Sequence, residues 1–261
     1  MWGMRKRLLN LVRSLARVPL NLGFDPRKLS ALKFYVRYRK DRKLWLNNGG
    51  KIDRNYMILS DFEDAAGTAS GHYFHQDLLV AKLIHDHGPT RHIDVGSRVD
   101  GFVAHVAAFR EIEVLDVRPL TESVHSTITF LKADLMKPVN IGFTDSLSCL
   151  HAIEHFGLGR YSDPVDVDGH VKGLSNLIAL ISPRGRMYVS FPIGQSDEVH
   201  FNAHRVFHPK TILAYPSVQE SLKLIRFDFV DDSGNLNLET EIDDVPADTT
   251  YGCGIYTFEK L

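Results

Sequence analysis

Hydrophobic and polar positions follow alternating helical and strand periods from residue 76 to the end of the chain. Apolar residues recur at helical spacing over residues 76–88, and a short apolar strand follows over 92–95. The same patterns predict further helices at 102–109, 168–182 and near 209–214, and strands at 112–117, 128–132, 144–150, 186–191, 222–230 and 253–260. This order predicts an α/β domain with a Rossmann-like, doubly wound, mostly parallel sheet of seven strands. The last two strands have no helix between them and predict an antiparallel C-terminal hairpin.

The N-terminal part of the chain has a different pattern. Leu8, Leu11, Val12 and Leu15 recur at helical spacing among arginines, and a second cationic stretch with interleaved aromatic residues covers residues 27–43. We therefore predict a basic helical N-terminal arm over residues 1–54 and a second domain over residues 55–261.

The net charge of −1 conceals this division. Residues 1–54 carry 15 Lys and Arg against 3 acidic residues, a charge of +12, whereas residues 55–261 carry 16 against 29, a charge of −13. Such an arm can pack on the domain, lie on an anionic membrane surface or bind nucleic acid. No nucleic-acid-binding motif accompanies it, so no nucleic-acid partner is expected.

Composition places the chain among ordinary globular proteins. It is 44% apolar and 24% charged, and no apolar run approaches the roughly 18 residues that a membrane span needs. The two cysteines, Cys149 and Cys253, lie in apolar surroundings and do not form a disulfide framework, which favours a reducing, cytoplasmic setting.

Residues 92–102, HIDVGSRVDGF, have the pattern of a nucleotide site. A strand ends at Asp94, Gly96 permits a tight turn, and Gly101 lies where the next helix begins. Asp116 ends the following strand, where an acid can accept hydrogen bonds from ribose hydroxyls. Arg98 replaces the second glycine of the dinucleotide pattern, which argues against a pyrophosphate cofactor. The alternative is that these acids only cap a helix or lie on the surface.

From this point the chain resembles the class I S-adenosylmethionine-dependent methyltransferases, over roughly residues 70–260. The resemblance continues through LKADLMKP, which contains Asp134, through SLSCLHAIEHFGLGRY and through ISPRGRMYVSFP. It implies S-adenosylmethionine as the cofactor, with Asp116 on the ribose and Asp134 at the adenine amino group. The cofactor-binding residues implied or proposed on this basis are Asp94, Gly96, Ser97, Arg98, Gly101, Asp116, Val117, Asp134, Leu135 and His151. For Arg98 we expect a pairing with the methionine carboxylate.

Three segments, IDVGSRVDGFVAH, IEHFGLGRYSDP and FNAHRVF, also resemble a methyltransferase-like family linked with bacterial surface polysaccharides. This resemblance implies a sugar or glycan-linked acceptor and a role in polysaccharide biosynthesis. Because one fold hosts many functions, the acceptor rests on the resemblance alone.

The stretch after the fourth strand carries candidate catalytic chemistry. Transfer to a hydroxyl needs a base, and His155 is the predicted base, with Glu154 or Asp163 holding its tautomer. The alternative is that His151 and Glu154 brace the turn while His155 only lines the pocket. The predicted acceptor-binding residues are Arg160, Tyr161, His204 and Arg205.

His200, His204 and His208 have the four-residue spacing of ligands on one face of a helix. Pro209 ends any helix there and no acidic ligand is adjacent, so no metal is predicted.

The sequence thus predicts a methyltransferase that acts on oxygen, cytoplasmic and peripheral at the inner face of the membrane. Two other functions stay open. One is an enzyme that uses a nucleotide or nucleotide sugar on the same fold, and the other is a non-catalytic assembly module.

Overall fold

The computed structural model describes residues 26–120 and 125–261, which fall into two compact units. The division lies between Thr68 and Ala69, downstream of the boundary at residue 54 that the sequence predicted. The predicted amphipathic helix that contains Leu8, Leu11, Val12 and Leu15 lies outside the described residues.

In the described part of the first unit, a 3-10 helix (Pro26–Phe34) leads into α1 (Tyr35–Asn47), and a short 3-10 helix follows (Ser60–Glu63). α1 has no buried residue, and its apolar side chains Val36 and Trp45 are exposed. Among the described residues, no helix has the length and apolar character needed to cross a membrane.

The second unit is built on a central sheet. Its strands, with the two strands of a separate hairpin, are β1 (His92–Val95), β2 (Ile112–Asp116), β3 (Ile128–Lys132), β4 (Thr144–Leu150), β5 (Ile181–Ile193), β6 (Glu198–His200), β7 (His204–Val206), β8 (Leu222–Val230), β9 (Leu236–Asn237) and β10 (Gly252–Lys260). The order in the sheet is β3-β2-β1-β4-β5-β10-β8-β9, and β6 pairs with β7. The strands from β3 to β5 are parallel, and β10 is antiparallel to both of its neighbours.

The helices of this unit are α2 (His72–His87), α3 (Ala104–Ala107), α4 (Gly169–Ala179) and α5 (Pro216–Ser221), with a π-helical turn at Val99–Val103 and 3-10 helices at Ile153–His155, Thr211–Ala214 and Ile242–Asp244. Two apolar clusters form the core. One contains the apolar residues of α4 and the other those of α2, together with side chains of the sheet strands.

The predicted α/β class is confirmed, and the predicted number of seven strands is wrong. The described sheet has eight, because the two-residue β9 in the polar connection after β8 pairs with that strand. The final strand also lies inside the sheet, between β5 and β8. Its residues from Gly252 to Phe258 are all buried, as an interior strand requires.

The strand order reverses between β1 and β4, which are neighbours in the sheet. At such a switch point the loops after the two strands diverge and leave a crevice at their carboxyl ends. Except for His204 and Arg205 on β7, the predicted site residues lie at the ends of β1 and β2 or follow β1, β2, β3 and β4, so the topology brings them to this one edge of the sheet.

Candidate functional site

The turn after β1 shapes the base of the crevice. Gly96 has φ +79°, and a Cβ atom there would lie 2.6 Å from Cβ of Ala152 in the loop after β4. A larger residue would therefore separate the two loops. Asp94 is fully buried and accepts hydrogen bonds from Ser97 Oγ at 2.9 Å and Ser148 Oγ at 2.6 Å. Burial raises the pKa of Asp94 to about 7. Asp94 thus braces β1 against β4 behind the crevice, although it was predicted to bind the cofactor.

An inner cavity opens at the carboxyl ends of β1, β2 and β4. Nine of the predicted site residues line it, namely Gly96, Asp116, Val117, Asp134, Leu135, His151, His155, Tyr161 and Asp163.

Arg118 is the main residue of the inner cavity that the sequence prediction missed. Its guanidinium donates to both carboxylate oxygens of Asp116 and, at 2.9 Å, to the carbonyl oxygen of Gly96. The ring of Tyr161 packs on the guanidinium with its centroid 4.8 Å away. Any ligand hydroxyl that binds Asp116 must therefore share this carboxylate with Arg118.

The residues of the inner cavity suit an adenosyl group. Asp116, only 6% exposed, offers a carboxylate at the end of β2, and Asp134 offers another after β3. Apolar side chains, including Leu115, Leu135 and Phe156, line the same cavity. A nucleoside combines a flat apolar base with hydroxyl and amino donors, so this set of acceptors and apolar walls fits it.

The loop after β4 forms a buried histidine–carboxylate pair. His151 has φ +47°, and its Nδ1 lies 2.8 Å from Oε1 of Glu154. Burial opposes the imidazolium, but the neighbouring side chains of Cys253 and Glu154 together outweigh it and raise the pKa of His151. Nε2 of His151 and Oε2 of Glu154 are buried and have no hydrogen-bond partner. Oε1 of Glu154 also lies 3.8 Å from Nε2 of His155, so the predicted contact of Glu154 with that ring is present but is longer than its hydrogen bond to His151.

His155 has a different environment. Its Nδ1 lies 2.7 Å from the carbonyl oxygen of Ala203, so this nitrogen carries the proton of the neutral ring and donates it. Burial lowers the pKa of His155, and the charge of Arg160 acts in the same direction although Glu154 opposes it. Asp163 does not reach His155. It accepts hydrogen bonds from the backbone N–H groups of Gly157 and Tyr161 and so holds the loop.

A wider outer cavity adjoins the inner one. Its lining includes residues of both loops and of α2, and the predicted members are Gly96, Ser97, Arg98, Gly101, His151, Glu154, His155, Arg160, Tyr161 and His204. Tyr73 and Tyr251 add two aromatic rings. His151, His155 and Tyr161 line both cavities and mark their junction. Arg98 pairs with Asp100 at the exposed rim, so its guanidinium already has a carboxylate partner.

The histidines predicted at helical spacing lie on a β-hairpin. His200 on β6 is directly opposite His204 on β7, and His204 faces the outer cavity beside Tyr251. Arg205 points the other way and does not line either cavity. Its buried guanidinium donates to the carbonyl oxygens of Phe156 at 2.7 Å and Glu154 at 3.3 Å. Arg205 therefore braces the loop after β4, which corrects its predicted role in acceptor binding.

Comparison with known proteins supports the fold. The structure resembles N-methyltransferase NodS from Bradyrhizobium japonicum WM9, solved with S-adenosyl-L-homocysteine, with a TM-score of 0.50 and 11% identity over 73% of this chain and 88% of that one. A 1,6-didemethyltoxoflavin-N1-methyltransferase from Burkholderia thailandensis is 14% identical over 90% of both chains, with a TM-score of 0.49. The family described as "Caenorhabditis protein of unknown function, DUF268" matches residues 129–232. No curated protein matches the chain. The chain thus has the Rossmann-like fold found in S-adenosylmethionine-dependent methyltransferases.

Proposed function

We propose that the protein is an S-adenosylmethionine-dependent methyltransferase. The observation that carries the proposal is the inner cavity at the switch point, where a buried acid ends β2, another acid follows β3 and apolar side chains complete the lining. Asp116 would hold the ribose hydroxyls, and Asp134 the adenine amino group. The cofactor supplies an electrophilic methyl group on a sulfonium.

The acceptor that the outer cavity suits best is a hydroxyl of a sugar or glycan-linked molecule. Tyr73, Tyr161 and Tyr251 offer rings for the apolar faces of a sugar, and Arg160 and His204 offer polar groups for its hydroxyls. His155 lies at the junction of the cavities, where an acceptor oxygen would meet the methyl donor. Its Nε2 would take the hydroxyl proton as the methyl group is transferred.

Cofactor binding is the first test. Calorimetry with S-adenosylmethionine, S-adenosylhomocysteine and NAD is expected to show binding of the first two and not of NAD. Asp116→Asn should weaken S-adenosylhomocysteine binding about 10- to 100-fold, because hydrogen bonds to a charged group contribute about 1.5–3 kcal/mol each. Asp248→Asn, which removes an exposed acid outside both cavities, is the matched control.

Two rival functions predict different results. A nucleotide- or nucleotide-sugar-dependent enzyme would bind those ligands and neither S-adenosylmethionine nor S-adenosylhomocysteine. A non-catalytic module would transfer no methyl group to any acceptor even with the cofactor bound. Once the cofactor binds, a screen of sugar and glycolipid acceptors with labelled S-adenosylmethionine therefore separates the remaining functions.

We further propose that the protein works in polysaccharide biosynthesis at the cytoplasmic face of a membrane, held there by residues 1–54. The +12 charge of this segment and the exposed apolar side chains of α1 support the attachment. Both cysteines are free and buried, which is compatible with a reducing compartment.

A further inference from the structure

Three residues from distant parts of the chain bring nitrogen and sulfur ligands together beside the outer cavity. His72 begins α2, His151 follows β4 and Cys253 lies in β10. One ligand atom from each residue lies within 4.8 Å of the others. His151 and Cys253 are buried, and His72 is half-buried.

His72 and His151 each make the kind of hydrogen bond that a metal-binding histidine makes with the ring nitrogen that does not bind the ion. Metal-binding histidines usually donate their second ring nitrogen to a carboxylate or a backbone carbonyl. Nδ1 of His151 bonds Glu154 at 2.8 Å, and Nε2 of His72 bonds the carbonyl oxygen of Tyr251 at 3.1 Å. Each ring therefore keeps one nitrogen for an ion, Nε2 in His151 and Nδ1 in His72.

An unpartnered group points to the same place. The side chain of His151 is only 4% exposed, and its Nε2 has no hydrogen-bond partner. A buried polar atom without a partner is costly, so native structures rarely leave one unless a ligand, ion or water completes it. The side-chain oxygen of Gln76 does not satisfy this nitrogen, because it accepts from Ser190 Oγ at 2.6 Å and from Cys253 Sγ at 3.8 Å.

We propose that His72, His151 and Cys253 form a binding site for a divalent transition-metal ion, with Zn²⁺ as the ion that suits it best. Two imidazoles and a thiolate match the preferences of Zn²⁺ and Co²⁺, whereas Mg²⁺ and Ca²⁺ require oxygen ligands. Cys253 binds as the thiolate and releases its proton to solvent. The imidazole rings of His72 and His151 lie nearly parallel, at 12° with centroids 5.2 Å apart, so at least one ring must rotate for both to bind the ion.

Three protein ligands leave the fourth tetrahedral position of the ion open, as in catalytic zinc sites. Because His151 lines both cavities, an ion on its Nε2 would lie at their shared wall. If the proposed methyl transfer is correct, the open position would take the acceptor oxygen and lower its pKa. This last role rests on the proposed function, whereas the metal site does not.

Metal titration of the full-length protein tests the site without cofactor or acceptor. After treatment with a chelator, the wild type should bind one equivalent of Zn²⁺ by calorimetry. Co²⁺ should give tetrahedral d–d absorption and a thiolate-to-cobalt charge-transfer band. Cys253→Ser should lose that band and bind Zn²⁺ at least 10-fold more weakly, while Cys149→Ser, at the other buried cysteine, keeps both.

Circular dichroism establishes that the variants are folded. If Cys253→Ser is unfolded, His72→Gln at the half-buried ligand provides the second test, with the same expected loss of affinity. Absence of stoichiometric binding overturns the proposal. Binding with an unchanged thiolate band in Cys253→Ser also overturns it, as does Zn²⁺ binding that only removal of His200 and His204 abolishes, since the ion would then lie on the hairpin.

Discussion

Two histidines four positions apart have opposite electrostatic environments. Although burial opposes it, Cys253 and Glu154 raise the pKa of His151, whereas burial lowers the pKa of His155 below its ordinary value of 6.5. At neutral pH His155 is therefore a neutral ring whose Nδ1–H donates to Ala203, and its Nε2 lies 3.3 Å from Nη1 of Arg160, a contact that it must give up to accept a proton. Neighbouring groups with divergent pKa values are typical of acid–base sites.

We predict that His155→Gln lowers methyl transfer about 10²- to 10⁴-fold, the usual contribution of a general base. Its S-adenosylhomocysteine affinity should stay at the wild-type level, because the cofactor ribose and adenine are held by other residues. Single-turnover transfer to the acceptor found by the screen and calorimetry measure the two effects. The exposed His125→Gln, outside both cavities, is the control. Wild-type turnover in His155→Gln would exclude the base assignment.

The environment of His92 predicts how the stability of the domain changes at acidic pH. It is fully buried in β1 between the hydroxyls of Ser146 and Ser148, at 2.8 and 3.1 Å, and burial lowers its pKa to about 3. The unfolded chain, with an ordinary pKa of 6.5, then binds a proton that the folded chain refuses. His92 therefore costs stability as the pH falls below 6.5.

The free energy of unfolding should accordingly fall by about 1.4 kcal/mol more in the wild type than in His92→Asn between pH 7.5 and 5.5. The asparagine side chain removes the titration and keeps an amide that can bond Ser146. Urea denaturation of both proteins at several pH values provides the measurement. Parallel pH profiles for the two proteins would show that His92 is protonated as easily in the folded state as in the unfolded one.

At the scale of elements, the β6–β7 hairpin and the loop after β4 form one support. Arg205 on β7 ties the hairpin to that loop through carbonyl oxygens of Glu154 and Phe156, and the carbonyl of Ala203 in the hairpin turn receives Nδ1 of His155. The hairpin thus fixes the direction of the proposed base from outside the sheet.

Arg205→Met should lower the free energy of unfolding by about 2 kcal/mol, because buried carbonyl groups lose their donor. Arg160→Met is the matched comparison, since Arg160 faces the outer cavity and its loss should raise the KM for the acceptor with less effect on stability. Denaturation and steady-state kinetics separate the two. A stable Arg205→Met with a raised KM would restore the substrate-binding role that the sequence suggested.

The sequence predicted correctly those elements whose hydrophobic pattern is visible within the element itself. The strands at 92–95, 128–132, 144–150 and 222–230 match β1, β3, β4 and β8, although burial differs among them: every residue of β1 is buried, whereas only Ile128 of β3 is. The helix predicted at 102–109 shortens to Ala104–Ala107, since Gly101 leaves helical geometry and the turn before α3 is irregular. The histidines of the hairpin had the spacing of one face of a helix. A four-residue spacing also pairs residues across a tight turn, as it does for His200 and His204.

The residues of the site likewise divide into those that the sequence could predict and those that it could not. The acid of β2, Asp116, was found from its position at a strand end, but its partner Arg118 was not, although an arginine two residues beyond such an acid is a usable signal. The pairing of Glu154 with His151 in preference to His155 depends on the positive φ of His151, which no periodicity shows. Cys253 reaches the site only because β10 enters the sheet beside β5. This pairing is a tertiary contact, which the local sequence pattern does not show.

At the scale of the whole molecule, the near-zero net charge is the sum of two parts that carry opposite charges. The described helix of the basic part, α1, has no buried residue, and cations such as Arg39 and Lys43 stand beside the exposed Leu44 and Trp45. Lysine and arginine side chains attract anionic lipid headgroups, and the exposed apolar side chains can contact the membrane interface. The proposed cofactor residues all belong to the unit that begins at Ala69.

Removal of residues 1–54 should therefore abolish cosedimentation with phosphatidylserine vesicles and leave S-adenosylhomocysteine affinity unchanged. Neutral phosphatidylcholine vesicles provide the control, and binding of the full chain should weaken as salt screens the charges, with a Debye length that shortens from about 10 Å at 0.1 M to about 3 Å at 1 M. Loss of cofactor affinity on truncation would mean that the arm stabilises the catalytic domain. Vesicle binding that survives truncation would locate the membrane contact in residues 55–261, where the net charge of −13 opposes it.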